Sequence, residues 1–184
     1  MRLAPARALL AIITAVVLLV GTVAGAHETR ATLLRNREFA ESLLDGIHSA
    51  RKSVHLSFFL FKATNARNNI PRRLVEELIQ AKKRGVDVTV LLERPSTKRN
   101  HSSEDSLYTD NRRTAELLVR GGVKVFFDSP AVTTHTKVAV IDGHLVFIGS
   151  HNLSQSALRH NNELSVMLDS PELASEVKAY MDRL

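Results

Sequence analysis

The chain has no cysteine, which excludes disulfides and thiolate metal sites and leaves cysteine usage silent on redox compartment. Aromatics make up only 5% of its 184 residues, and most of the phenylalanines fall in stretches that read as strands, hence core. No stacking platform for single-stranded nucleic acid is visible. There is no H-E-x-x-H and no clustered carboxylate set, so neither a metal nor another cofactor is expected. A long apolar run is confined to the first residues.

That run sits in "MRLAPARALLAIITAVVLLVGTVAGAHE". Arg2 and Arg7 precede an apolar stretch, Ala8 to Val20, broken only by Thr14, and small residues follow at 24–26. The stretch is short for a span of ~20 residues, and its small-residue end fits a cleavage site. The first expectation is a cleaved secretory signal over residues 1–26, sending residues 27–184 outside the cell or to the periplasm. The alternative is an uncleaved membrane anchor through residues 8–26. Without this segment the net charge drops from +6 to +4, because it holds two arginines and no acid. The modest excess favours an anionic partner, phosphate above all.

Periodicity predicts one α/β domain. "REFAESLLDGIHSA" spaces Phe39, Leu43 and Ile47 four apart on one helical face. "SVHLSFFLF" alternates as a strand, and "NNIPRRLVEELIQAKKRG" is a helix with Pro71 near its start and Gly85 past its end. A second helix–strand copy, "DNRRTAELLVRGG" then "VKVFF", follows the strand "VDVTVLL". Residues 93–109, polar and aperiodic, are predicted as the longest loop and as a neighbour of the site. "HTKVAVI" and "HLVFIG" are strands joined by Asp142-Gly143, a dipeptide suited to tight hairpins. The strand "NNELSVML" and a helix capped by Ser170 close the chain. The expected architecture is a mixed sheet with helices on both faces.

The chemistry concentrates in "THTKVAVIDGHLVFIGSHN", residues 134–152. His135 and Lys137 are two apart, which puts them on one face of a strand. Histidine can attack or carry a proton near neutral pH, and lysine is a compact cation for phosphate oxygens. Ser150 and Asn152, again two apart, add a hydroxyl and an amide. Glu163 opens the following strand, where a buried carboxylate can hold a histidine ring.

The spacing H-x-K-x4-D-x6-G-S-x-N, followed by Glu163, resembles the HKD motif of the phospholipase D superfamily. The resemblance extends over most of residues 33–184. It implies that His135 forms a covalent phosphohistidine or acts as general acid, that Lys137 and Asn152 bind the phosphate, that Ser150 assists, and that Glu163 orients the histidine. Asp142 and Gly149 belong to the same motif, but the strand register puts Asp142 in the hairpin turn, where a carboxylate bonds nearby backbone. A structural role is expected for it.

Phosphodiester cleavage by this route needs two histidines, one to attack and one to protonate the leaving oxygen. This chain has one motif. The other histidines lack a lysine in register and read as surface or packing residues, with His151, beside Ser150, the first suspect for an internal proton carrier. A symmetric homodimer sharing one site is the economical solution. The expected function is a metal-independent phosphodiesterase, acting most plausibly as a nuclease; the alternative substrate is an anionic phospholipid. The basic runs "AKKRG", "STKRN" and "DNRRT" offer contacts for a polyanionic backbone. A catalytically silent binding module is the third reading, opposed by the intact motif.

Overall fold

A computed structural model describes residues 29–94 and 102–184. Its elements are β1 (Arg30–Arg35), α1 (Arg37–Ser49), β2 (Ser53–Phe58), α2 (Ile70–Lys83), β3 (Asp87–Leu92), α3 (Ser102–Arg120) and β4 (Lys124–Phe127). β5 (Lys137–Ile141), β6 (Leu145–Gly149), α4 (Gln155–Arg159), β7 (Leu164–Asp169) and α5 (Pro171–Met181) complete the chain. The strands form one seven-stranded sheet in the order β1-β7-β6-β5-β2-β3-β4. β2, β3 and β4 pair in parallel, as strands joined by helices do, and the remaining pairs are antiparallel.

The expected α/β fold, a mixed sheet with helices on both faces, is what is found. One face carries the larger core. Phe39, Leu43 and Ile47 of α1 and Leu74 and Leu78 of α2 meet the sheet there, with Leu118 of α3 and Leu158 of α4. On the other face α5 lays Ala174 and Met181 against Val138, Val140 and Val146. Each fully buried leucine or phenylalanine contributes about 1.5–3 kcal/mol. The helix boundaries follow local chemistry: the Asn69 side chain accepts the Arg72 N–H at 2.9 Å, and Ser170 does the same for Leu173 at 3.3 Å.

The turn falls at Asp142-Gly143 as expected, with φ 52° and 72°, both positive, and the His144 N–H closes it on the Ile141 carbonyl at 3.2 Å; with Ile141 paired to Leu145 the loop is three residues long. Two expectations are corrected. Residues 93–109 are not one loop, because α3 begins at Ser102, well before Asp110. The helix expected from Asp110 is there, but it starts about two turns earlier, in a stretch whose apolar residues are only Leu107 and Tyr108 and so give no helical period. β1 and the short α4 add elements that periodicity did not suggest. β1 is an edge strand exposing all but Leu34, so its sequence has no alternation to read. The proposed signal or anchor segment, residues 1–26, lies outside the described residues. Among the described residues no helix is long and apolar enough to cross a membrane.

Candidate active site

The site lies at one edge of the sheet, where β2, β3 and β6 end and β5 and β7 begin. His135 stands two residues before β5, which starts at Lys137. Three anchors fix the segment around it. The buried Glu93 carboxylate accepts the Thr134 N–H at 2.6 Å. The Thr136 carbonyl accepts the Phe59 N–H at 2.9 Å, and the Thr136 and Ser57 hydroxyls are 2.6 Å apart. Phe59 in turn is held by α3, since Asn111 Nδ2 donates to its carbonyl at 2.9 Å. The fully buried Asn111 and Thr114 therefore clamp the 59–63 segment from behind. Neither Glu93 nor Asn111 stands out in the sequence; a lone acid after a strand and a lone amide in a helix give no local signal.

His135 and Lys137 come together as expected. Lys137 Nζ lies 3.2 Å from Nδ1 and 3.3 Å from Nε2 of His135, and donates to the His135 carbonyl at 2.9 Å. Phe59 backs both: its ring meets the imidazole edge-on at 4.5 Å and lies 5.3 Å beneath the ammonium. Partial burial, then the lysine's charge, hold the histidine below its ordinary value of 6.5. The shift favours the neutral ring, the form able to attack phosphorus. Burial also lowers Lys137, while the nearby Glu163 pulls it back up.

Glu163 itself accepts from the Ser150 hydroxyl and from Asn161 Nδ2, the latter at 3.0 Å. Its contact with the motif in one chain is thus through Ser150, and its hydrogen bonds to Ser150, Asn161 and Asn36 do not include His135. Ser150 also accepts the Leu164 N–H at 3.1 Å, so its hydroxyl is engaged on both sides. Asn152 differs: its Oδ1 is buried with no hydrogen-bond partner among the described residues. An orphaned buried acceptor costs about 1–3 kcal/mol, and a phosphate, which offers only acceptors, would have to be met by the Nδ2 of the same amide instead. Gly149 has a plain steric reason, since a Cβ there would meet the Ser165 backbone Cα at 2.4 Å.

Asp142 is at the other end of β5, about 16 Å from Lys137 along the strand. Its carboxylate accepts from the backbone N–H groups of Arg51, Lys52 and Ser53 at 2.7–3.1 Å. Burial opposes its charge, but those three donors outweigh burial and hold the carboxyl below its ordinary range. It ties the hairpin to the start of β2, the structural role its register implied.

His151 is not a proton carrier. It is fully buried and stacked on Phe39 at 4.3 Å, with Nε2 2.9 Å from the Asn36 carbonyl and Nδ1 2.7 Å from the Ser165 hydroxyl. A carbonyl only accepts, so the proton is on Nε2 and both nitrogens are occupied. His48 and His144 pair with Glu77 and Asp169, His55 lies in β2 and His160 is exposed. His27 and His101 lie outside the described residues. Of the basic runs, "AKKRG" closes α2 at the sheet edge opposite His135, and "DNRRT" sits inside α3. "STKRN" lies outside the described residues.

A family model described as "Cardiolipin synthase, PLD-like domain" matches residues 43–184. The chain belongs to the phospholipase D-like family. Within the family it is similar to cardiolipin synthase A of Proteus mirabilis (strain HI4320), 30% identical over 139 residues. That match covers 74% of this chain and 25% of the relative. Phospholipase D of Rickettsia bellii (strain RML369-C) is 28% identical over 132 residues, which cover 72% of this chain and 56% of that protein. The chain thus spans about a quarter and just over half of these two relatives. Among solved structures it resembles the phospholipase D family member Nuc from Salmonella typhimurium, with a TM-score of 0.65 at 24% identity. That likeness covers 85% of this chain and 94% of Nuc, and it shows the shared fold.

Proposed function

We propose that the chain is a metal-independent phosphodiesterase that works as a homodimer and acts as a nuclease. The observation that carries this is the open pair at the end of the strands: an exposed His135 whose ring nitrogens lie 3.2 and 3.3 Å from Lys137 Nζ. A ring nitrogen of one, neutral His135 attacks phosphorus, and the bond to the leaving oxygen breaks as the second His135, as the imidazolium, donates a proton to it. Water, deprotonated by that second histidine, then displaces the phosphohistidine and restores both rings. Lys137 and Asn152 offset the charge on the non-bridging oxygens. Glu163, held by Ser150 and Asn161, is the candidate to orient a histidine, including one across the two-fold axis.

One chain supplies half of this centre. An apolar face beside it suits a second copy: a groove of about 440 Å³ runs from His135 and Lys137 along Ile148, Leu173, Val177 and Tyr180. Ile148 and Tyr180 are 43% and 48% exposed there, an apolar surface that association would cover. The same groove, with the names of the curated relatives, favours the second reading, a phospholipid substrate with its glycerol and acyl chains beside His135. We further propose that the N-terminal segment delivers the domain to or across a membrane.

The test is the full chain incubated in EDTA with single-stranded DNA, RNA and phosphatidylglycerol vesicles, with His135→Ala in parallel. Nucleic-acid cleavage that survives chelation and vanishes in the variant is expected. Cleavage of vesicles alone would establish the lipid reading, and loss in EDTA restored by a divalent ion would overturn the metal-free mechanism.

A further inference from the structure

A second, polar pocket of about 260 Å³ opens between the starts of α1 and α2 and the end of α4. It is on the same sheet edge as His135, since α1 follows the end of β1 and α2 the end of β2. Three arginines line it: Arg37, the first residue of α1, Arg73 in the first turn of α2, and Arg159 at the end of α4. None of the three guanidiniums has an ion-pair partner among the described residues. Their neighbours do: Arg35 pairs with Glu38 at 3.8 Å and Arg72 with Glu76 at 3.2 Å. Arg37 Nε donates to the Arg159 backbone carbonyl at 3.4 Å, which ties the start of α1 to the end of α4. The lining's one carboxylate, Glu41, pairs with none of them.

The pocket is joined to the catalytic edge by short links. Arg37 follows Asn36, whose Oδ1 accepts the Glu163 N–H at 2.9 Å. Arg159 comes two residues before Asn161, which donates to the Glu163 carboxylate at 3.0 Å. We infer that this pocket is a second phosphate subsite, holding a backbone phosphate of a nucleic-acid strand next to the one cut at His135. The inference rests on the nuclease reading and adds the means by which a strand is preferred.

Guanidiniums stay charged and match phosphate oxygens in bidentate pairs, which suits three unpaired ones around a single opening. A strand presents a phosphate at every nucleotide, so one diester at His135 brings others within reach of the same edge. A phospholipid with one headgroup phosphate brings none. A bilayer is a poor occupant for a further reason. None of the exposed large hydrophobics among the described residues lines this pocket, and a membrane-facing surface needs them beside its basic residues.

The test compares the full-length chain with Arg73→Ala/Arg159→Ala on two substrates. One is a fluorescein-labelled single-stranded oligodeoxynucleotide; the other is bis(4-nitrophenyl) phosphate, which carries a single phosphate. The variant should raise KM for the oligonucleotide about tenfold or more with kcat held, and leave kcat/KM for the small diester unchanged. The slope of log affinity against log salt should become shallower by about 0.7 per lost contact. An equal loss on both substrates would make the arginines structural, and an unchanged KM and slope would remove the subsite; either overturns the inference. If the wild-type chain turns over the small diester and phosphatidylglycerol vesicles but never the oligonucleotide, the nuclease reading itself fails, and the subsite with it.

Discussion

The β5–β6 hairpin carries most of the motif, yet its two ends treat their polar groups in opposite ways. At the turn, three backbone N–H groups converge on Asp142, and the carboxylate is satisfied within the fold. At the open end, His135 is exposed with its ring against a lysine, and Asn152 keeps a buried oxygen without a partner. Buried polar groups are paired in nearly all native structures, and the open end departs from that rule where the turn obeys it. A motif that reads as one unit in sequence is therefore two in space: a bracket at one end of a five-residue strand and a reaction centre at the other.

Substitutions at the two ends should fail in opposite ways. His135→Ala should abolish phosphodiester cleavage and leave thermal unfolding unchanged, since the exposed ring contributes chemistry rather than core. Mixing wild-type with excess His135→Ala chains should cut activity as the square of the wild-type fraction once subunits exchange. A linear fall, with exchange verified, would mean that each chain works alone and would remove the shared centre. Lys137→Ala should lower kcat by roughly two orders of magnitude or more, the ~3–4 kcal/mol of one preorganised charge-stabilising group. A rise in KM with kcat intact would make the lysine a positioning contact.

Asp142→Ala should show the reverse pattern, a loss of stability of about 2–3 kcal/mol with turnover per folded molecule preserved. Because its carboxyl is lower in the folded state than its ordinary value of 3.8, its contribution is present above that value and is lost as pH falls through the folded one. The stability gap between wild type and Asp142→Asn, measured by denaturant titration, should therefore close in acid. A gap that persists below the folded value would point to packing instead.

How much of this was legible depended on how local each signal is. The hairpin, its turn and the His135–Lys137 pair follow from alternation and from Asp-Gly, all within a few residues. α1, α2 and α5 announced themselves by apolar spacing and caps. α3 was legible only from Asp110 on, because its first turns, 102–109, carry just Leu107 and Tyr108 as apolar residues and show no helical period. Glu93, which anchors Thr134 from 41 residues away, and Asn36, bonded to Glu163 across 127, depend on the sheet order and have no footprint in any short window. His151 shows the converse error: adjacency to Ser150 made it a suspect, but residue 151 points into the core where 150 points out.

The smallest expected effect is also the finest probe of the open end. In a pair of histidines sharing one phosphate, the acid limb of kcat/KM reports the one that must be unprotonated to attack. Burial first, and the Lys137 charge second, hold His135 below 6.5, so the limb should fall on the acid side of that value. Lys137→Ala removes the second cause and leaves the first. The limb should then move up toward 6.5 without passing it, measured on bis(4-nitrophenyl) phosphate, whose good leaving group keeps the residual rate readable. At Asp142 the same comparison should give nothing, because the Asp142→Asn chain leaves the histidine's neighbours in place. A limb that stays fixed in Lys137→Ala would mean the ammonium does not act on the ring. A limb that rises past 6.5 would mean that a carboxylate, with Glu163 as the candidate, governs the histidine once the ammonium is gone.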